Sequence, residues 1–243
     1  AGTLHHPPGA RPPRAGVVVS HGMLSSRSSP KHVALCEALA AAGLLALRFD
    51  FAGRGESEGR LEEISYDGQV ADLSGAVAFL RGLVSRLGLV GSSMGGAVSL
   101  LYAAGDRKVV CVAGLAAVGR PAELTRRLGG DEVERRWEAE GFLELEGGLR
   151  LGLPLLRSAQ GADVLGAVAS LSCPLLLVHG ELDDVVPVAQ AHELHRCARR
   201  GRLEVFEGAD HVFSDPADRE RLVRVVAAFL ARALGGAATG PPP

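Results

Sequence analysis

The stretch 89-LVGSSMGGAVSLLYAAG-105 decides how the chain is read. Apolar residues run up to Gly91, then come two serines, a methionine and two glycines, and a helical run follows from Ala97. That pattern reads as a strand turning sharply into a helix, with small residues at the turn. Gly91, Ser93 and Gly95 also match G-x-S-x-G, an arrangement that exposes a serine hydroxyl on a strained turn. In 243 residues with 32 glycines, random placement gives roughly 0.3 such matches. The bare pattern is therefore weak, and the surrounding segments must carry the argument.

Short apolar runs on both sides read as buried strands: 17–20 (VVVS), 44–49 (LLALRF), 87–91, 109–115 (VVCVAGL), 175–178 (LLLV) and 203–206 (LEVF). Helical patterns alternate with them, over 30–43, over 66–86 with Val70, Leu73, Val77 and Leu80 in phase, from Ala97 onward, over 188–199 and over 216–234. Ser29 and Asp215 stand where helix caps belong, each followed by a proline suited to the first turn. Along the last helix, Leu222, Val225, Val226, Phe229 and Ala233 share a face. Strands that are apolar nearly throughout and alternate with helices predict an α/β fold: a mostly parallel central sheet covered by helices on both faces.

Residues from about 119 to 170 break the rhythm. They are more charged, they contain Trp137 and Phe142, and they are too many for a structureless loop. They predict a mainly helical cap insertion packed over one edge of the sheet, with Trp137 and Phe142 in its own core. One domain is expected over 1–236, with a disordered Gly/Pro-rich tail at 237–243. The opening segment, 1-AGTLHHPPGARPP-13, reads as the remnant of an edge hairpin with further residues upstream.

Hydrophobic residues make up 47% of the chain, enough for a sizeable core, and the net charge of −2 gives no electrostatic case for nucleic acid or an anionic membrane. The paired arginines at 126–127, 135–136 and 199–200 are separate and read as solvated faces. No apolar run reaches the length of a membrane span. Cys36, Cys111, Cys173 and Cys197 form no C-x-x-C pair and sit in apolar or helical surroundings. They predict buried free thiols, a reducing compartment and a cytoplasmic location, with no secretory leader in view.

The elbow segment falls between a strand and a helix, so in a parallel sheet it lies at the C-terminal edge, where ligands bind. A serine hydroxyl needs a base, and the base needs an orienting carboxylate. Two later loops at strand ends supply them in the order serine, acid, histidine: 179-HGELDDVVP-187 and 207-EGADHVF-213. His211 is the expected base and Asp183 the expected acid, with Asp184, Glu181 and Asp210 as neighbours able to replace Asp183. His21 and His179 precede glycines at strand ends and read as structural, and Asp50 and Ser57 as fixing the loop after the second strand.

These segments resemble the α/β-hydrolase fold over nearly the whole chain. 20-SHGMLSS-26 resembles its first oxyanion loop, 48-RFDFAGRGESEG-59 its D-x-x-G-x-G-x-S loop, H-G-x-x-D-x-x-V-P from His179 to Pro187 its acid loop, and G-x-D-H from Gly208 to His211 its histidine loop. Five matches in order are more specific than the elbow alone, and compact bacterial esterases and serine-aminopeptidase-like hydrolases are the members most alike. The resemblance places the acid at Asp183 rather than Asp184. It implies an oxyanion hole made by the backbone N–H groups of Met23 and Met94, each worth about 3 kcal/mol to a tetrahedral intermediate. These are the only two methionines in the chain. A backbone donor requires no particular side chain, so coincidence is the simpler reading; the sharper one is that both thioethers line the acyl pocket.

The resulting expectation is a serine hydrolase of small or medium acyl esters, acting through an acyl-enzyme, with no metal and no organic cofactor. Two alternatives keep the same triad: an aminopeptidase, for which Glu132, Glu134, Glu138 or Glu140 could hold a substrate amine, or a thioesterase. A third belongs to another class, a binding protein that kept the fold without the chemistry. Oligomeric state is not fixed by the sequence.

Overall fold

The computed structural model describes residues 1–9, 12–128 and 130–235, so the tail expected at 237–243 lies outside the described residues. Nine strands and nine α-helices are described within them. In chain order they are β1 (Gly2–His5), β2 (Ala15–Ser20), α1 (Pro30–Ala41), β3 (Leu45–Phe49), α2 (Tyr66–Arg81), β4 (Arg86–Ser92), α3 (Met94–Gly105), β5 (Val109–Leu115), α4 (Pro121–Arg127), α5 (Gly130–Glu140), β6 (Phe142–Glu144), β7 (Arg150–Gly152), α6 (Leu153–Gly161), α7 (Val164–Ser170), β8 (Leu175–Gly180), α8 (Val188–Cys197), β9 (Gly201–Phe206) and α9 (Pro216–Leu234).

Seven strands form one sheet in the order β1-β3-β2-β4-β5-β8-β9. It is parallel apart from β1, which pairs antiparallel with β3 at the edge. Successive side chains feed two cores, as the strand period of two requires. Val18, Leu89, Val112 and Leu177 pack on one face; Val17, Val90, Ala113 and Leu176 pack on the other, against α1 and α9. Each such fully buried valine or leucine stabilises the fold by roughly 1.5–3 kcal/mol.

Helix termini follow local chemistry. Asp215 Oδ1 accepts from the Ala217 N–H at 2.7 Å and Pro216 opens α9. Ser65 Oγ accepts from the Gly68 N–H at 3.0 Å at the start of α2. Ser29 occupies the cap position of α1, but its side chain makes no capping bond. The buried stripe of α9 is Leu222, Val226, Leu230 and Leu234; Val225, Phe229 and Ala233 are only partly buried on its flanks. Ala227 and Ala231 are buried beside these residues, so the buried face follows ordinary helical spacing and is turned slightly from the expected one.

Between β5 and β8 stand the four helices α4 to α7 and the two-stranded antiparallel sheet of β6 and β7. This hairpin and the edge strand β1 are the regular elements that periodicity does not announce. Trp137 is fully buried in the core, while Phe142 is half-buried beneath the Arg150 guanidinium, 4.3 Å from the ring centre. No described helix is long and apolar enough to cross a membrane.

Candidate active site

Strand order places the reacting loops side by side. β2 and β4 are neighbours, so the loop after Ser20 meets the turn after Ser92. β8 and β9 are neighbours, so the Asp183 loop meets the His211 loop. Backbone bonds lock the second pair, Glu181 N–H to the Phe206 carbonyl at 2.9 Å and Leu182 N–H to that of Ala209 at 2.9 Å, and tie Ser93 to the end of β5 through its N–H on the Leu115 carbonyl at 2.8 Å.

Ser93 stands between β4 and α3, at the cap position of the helix, with φ +56° and ψ −120°, a left-handed conformation that costs a non-glycine residue of order 1–3 kcal/mol. The turn is held by close backbone approach. A Cβ on Gly91 would stand 2.0 Å from the Gly95 carbonyl oxygen, and one on Gly95 would stand 2.3 Å from that of His21. Larger residues at either position would force the elbow apart.

Three of the expected residues come together. His211 Nε2 lies 3.1 Å from Ser93 Oγ, and His211 Nδ1 lies 2.8 Å from Asp183 Oδ2. The carboxylate can only accept from Nδ1, so Nδ1 carries the proton and Nε2 is free to accept from the serine hydroxyl. Asp183 Oδ1 accepts from the N–H groups of Val185 and Val186 at 3.0 and 2.7 Å. Burial alone would raise the Asp183 carboxyl. Bonds from His179, His211 and Val186 outweigh that and hold it well below the usual carboxylate range. Asp183 is therefore a fixed negative charge behind the imidazole at any pH near neutral.

The other carboxylates are engaged elsewhere. Asp210 accepts from the Ser214 N–H and hydroxyl at 2.9 and 2.5 Å, Glu181 accepts from Gly208 N–H at 3.1 Å, and Asp184 is exposed. His21 donates from Nδ1 to the Gly22 carbonyl at 2.7 Å and accepts the Phe51 N–H at Nε2 at 3.1 Å. His179 donates from Nε2 to the Val186 carbonyl at 2.8 Å, with Asp183 Oδ2 also 3.1 Å from that nitrogen. Both histidines hold loops. Asp50 binds Arg27 and the Glu56 N–H, and Ser57 Oγ donates to the Asp50 carbonyl at 2.7 Å, which fixes the loop after β3.

The two residues expected to supply backbone donors, Met23 and Met94, both border the space beside Ser93. Met94 N–H is the first of α3 and has no intrahelical acceptor. Met23 sits in the tight turn closed by Ser25 N–H on the Gly22 carbonyl at 3.1 Å. Gly22 abuts the serine: a Cβ there would stand 3.2 Å from Ser93 Cβ. Such N–H groups, with the N-terminal end of α3, favour negative charge developing beside Ser93.

A cavity of about 80 Å³ opens beside Ser93. Met23, Met94, Tyr66, Pro121, Leu124, Thr125, Leu128, Leu155 and Val185 line it. Both methionines are among the residues that line it. Tyr66 and the cap residues of α4 and α6 are additions that the sequence reading missed. Pro121 at the first position of α4 was a legible helix start, but the direction of Leu124 and Leu128 was not. None of the four insertion glutamates lines the pocket. Glu132, Glu134 and Glu140 pair with Arg135, Arg126 and Arg136, and Glu138 is exposed.

The chain belongs to the alpha/beta hydrolase family, whose sequence model matches residues 17–225. It is 26% identical over 223 residues to the human mitochondrial palmitoyl-protein thioesterase ABHD10, covering 87% of this chain and 71% of that protein. It is 29% identical over 237 residues to a monoacylglycerol lipase of Mycolicibacterium smegmatis, covering 84% of each. Among solved structures, Est1E from Butyrivibrio proteoclasticus bound to ferulic acid superposes with a TM-score of 0.88 at 22% identity, covering 97% of this chain and 95% of that one. The fold is shared with Est1E, and the two sequence relatives are a thioesterase and a lipase.

Proposed function

We propose that the protein is a serine carboxylesterase acting on short acyl esters. The observation that carries this reading is the continuous chain of contacts from Ser93 Oγ to His211 to Asp183, at 3.1 and 2.8 Å. His211 Nε2 takes the Ser93 proton as Oγ attacks the ester carbonyl, and the oxyanion forms against the Met23 and Met94 N–H groups. The alcohol leaves with the proton from His211. Water, activated by the same imidazole, then attacks the acyl-serine, returns the proton to Ser93 and releases the acid. Asp183 holds the ring in the productive tautomer and stabilises its charged form.

Pocket size supports a short acyl group. A cavity of about 150 Å³ accepts benzene, and this one is roughly half as large, matching about three or four carbons. Exposed Leu24 and Val212 flank Met23 and His211 and suit an apolar alcohol. Thioester cleavage uses the same steps, and the thioesterase relative makes it the second reading. Four free cysteines, two buried and two half-buried, support a reducing compartment such as the cytoplasm.

Hydrolysis of p-nitrophenyl esters from acetate to palmitate, beside Ser93→Ala, tests the proposal. The wild type is expected to be fastest near butyrate, with the variant reduced by at least about 10³-fold. A folded wild type inactive on every ester would contradict it.

A further inference from the structure

Tyr66 opens α2 and is 3% exposed, yet its hydroxyl makes no hydrogen bond among the described residues. Buried polar groups are almost always paired, so an unpaired one needs an explanation. Its position in the wall of the cavity beside Ser93 supplies one. Trp137 Nε1 is also without a partner, but it is sealed from solvent, and the Tyr66 oxygen is not among the sealed atoms.

The rest of that wall offers substrate little polarity. Met23, Met94, Pro121, Leu124, Leu128, Leu155 and Val185 are apolar there, and the Thr125 hydroxyl spends its proton on the Ala122 carbonyl at 2.9 Å. Apart from Ser93, Tyr66 is therefore the side chain with a proton to give. Burial raises the phenol above its ordinary range, so it stays protonated across all working pH.

We propose that Tyr66 is a specificity-determining donor that selects acyl groups carrying a hydrogen-bond acceptor, such as an ether, keto or hydroxyl oxygen, within a few bonds of the scissile carbonyl. The proposal rests on the esterase reading and refines its substrate class. An all-carbon acyl group of the same size fills the pocket but leaves the phenol desolvated and unpaired. An oxygen-bearing one restores the bond that the phenol loses on losing water.

The test compares p-nitrophenyl butyrate with p-nitrophenyl methoxyacetate, which replaces one methylene by an ether oxygen at nearly constant size. Each kcat/KM is divided by the ester's hydroxide-catalysed rate, which removes the difference in electrophilicity. The wild type is expected to prefer methoxyacetate on this scale, and Tyr66→Phe to lower that preference about tenfold, the weight of one hydrogen bond. A preference unchanged in an active Tyr66→Phe overturns the proposal, whether both rates fall together, as for a general oxyanion donor, or neither moves. Should Tyr66→Phe not fold, the normalised wild-type preference decides alone, and a value near one overturns it. Failure of the wild type on both esters, with Ser93→Ala no different, overturns the esterase reading and this proposal with it.

Discussion

At the C-terminal rim of the sheet, position is set by backbone. Ser93 is pinned by Leu115, the Asp183 loop is pinned by Phe206 and Ala209, and Gly91 and Gly95 admit carbonyl oxygens where any Cβ would collide. In the insertion above it, the pocket is lined by Leu124 and Thr125 from α4, Leu128 just after it and Leu155 from α6. The insertion's ion pairs, such as Arg135 with Glu132 and Arg136 with Glu140, are largely exposed and contribute little. The rim thus tolerates almost no change, and under the proposed function it carries the chemistry. The insertion can be resized one side chain at a time, and under the proposed function it sets the choice of acyl group.

The largest effect that would sharpen this contrast is at the rim. Asp183→Asn keeps the shape of the acid but removes its charge. In a serine protease the equivalent change drops kcat about 10⁴-fold, and a loss of that order is expected here. Stability should respond with a definite sign. The Asp183 carboxyl is depressed in the folded state, so its contribution is present above the unfolded value of about 3.9 and is lost as pH falls through the folded one. Thermal melts of Asp183→Asn should therefore fall below wild type at pH 7, with the gap closing below about pH 4. Equal activity in the two proteins would break the contrast.

A smaller effect is expected in the insertion. Leu155 is buried in α6, and Leu155→Ala removes about three carbons from the pocket wall. The ratio of hexanoate to butyrate kcat/KM should rise roughly tenfold, the usual worth of a methylene or two in an apolar pocket. An unchanged chain-length profile would mean that the acyl group lies elsewhere.

The same division explains what could be read from the sequence. β5 at Val109–Leu115 and α9 at Pro216–Leu234 agree with their expected bounds, because long apolar or strongly periodic runs with a capped start leave few alternatives. Ser93 and His211 were legible because a parallel sheet sends every strand-end loop to one rim, whereas Asp183 was set apart from Asp184, Glu181 and Asp210 only by the family resemblance. β6 and β7, at three residues each, are too short for a period to register; in the opening segment, where an edge hairpin was expected, β1 at Gly2–His5 is an edge strand paired antiparallel with β3. Leu124, Leu128 and Leu155 read like any core leucine, since facing a pocket depends on where their helices dock. Tyr66 was legible as part of a helix but not as a donor, because only the packed structure shows which hydroxyls lack partners.

The most direct test is covalent. The protein is treated with a fluorophosphonate, digested and mapped by mass spectrometry, with Ser93→Ala in parallel. The account predicts one adduct per chain, on the peptide holding Ser93, and none in the variant. An unlabelled wild type, or a label that persists in Ser93→Ala, would contradict it.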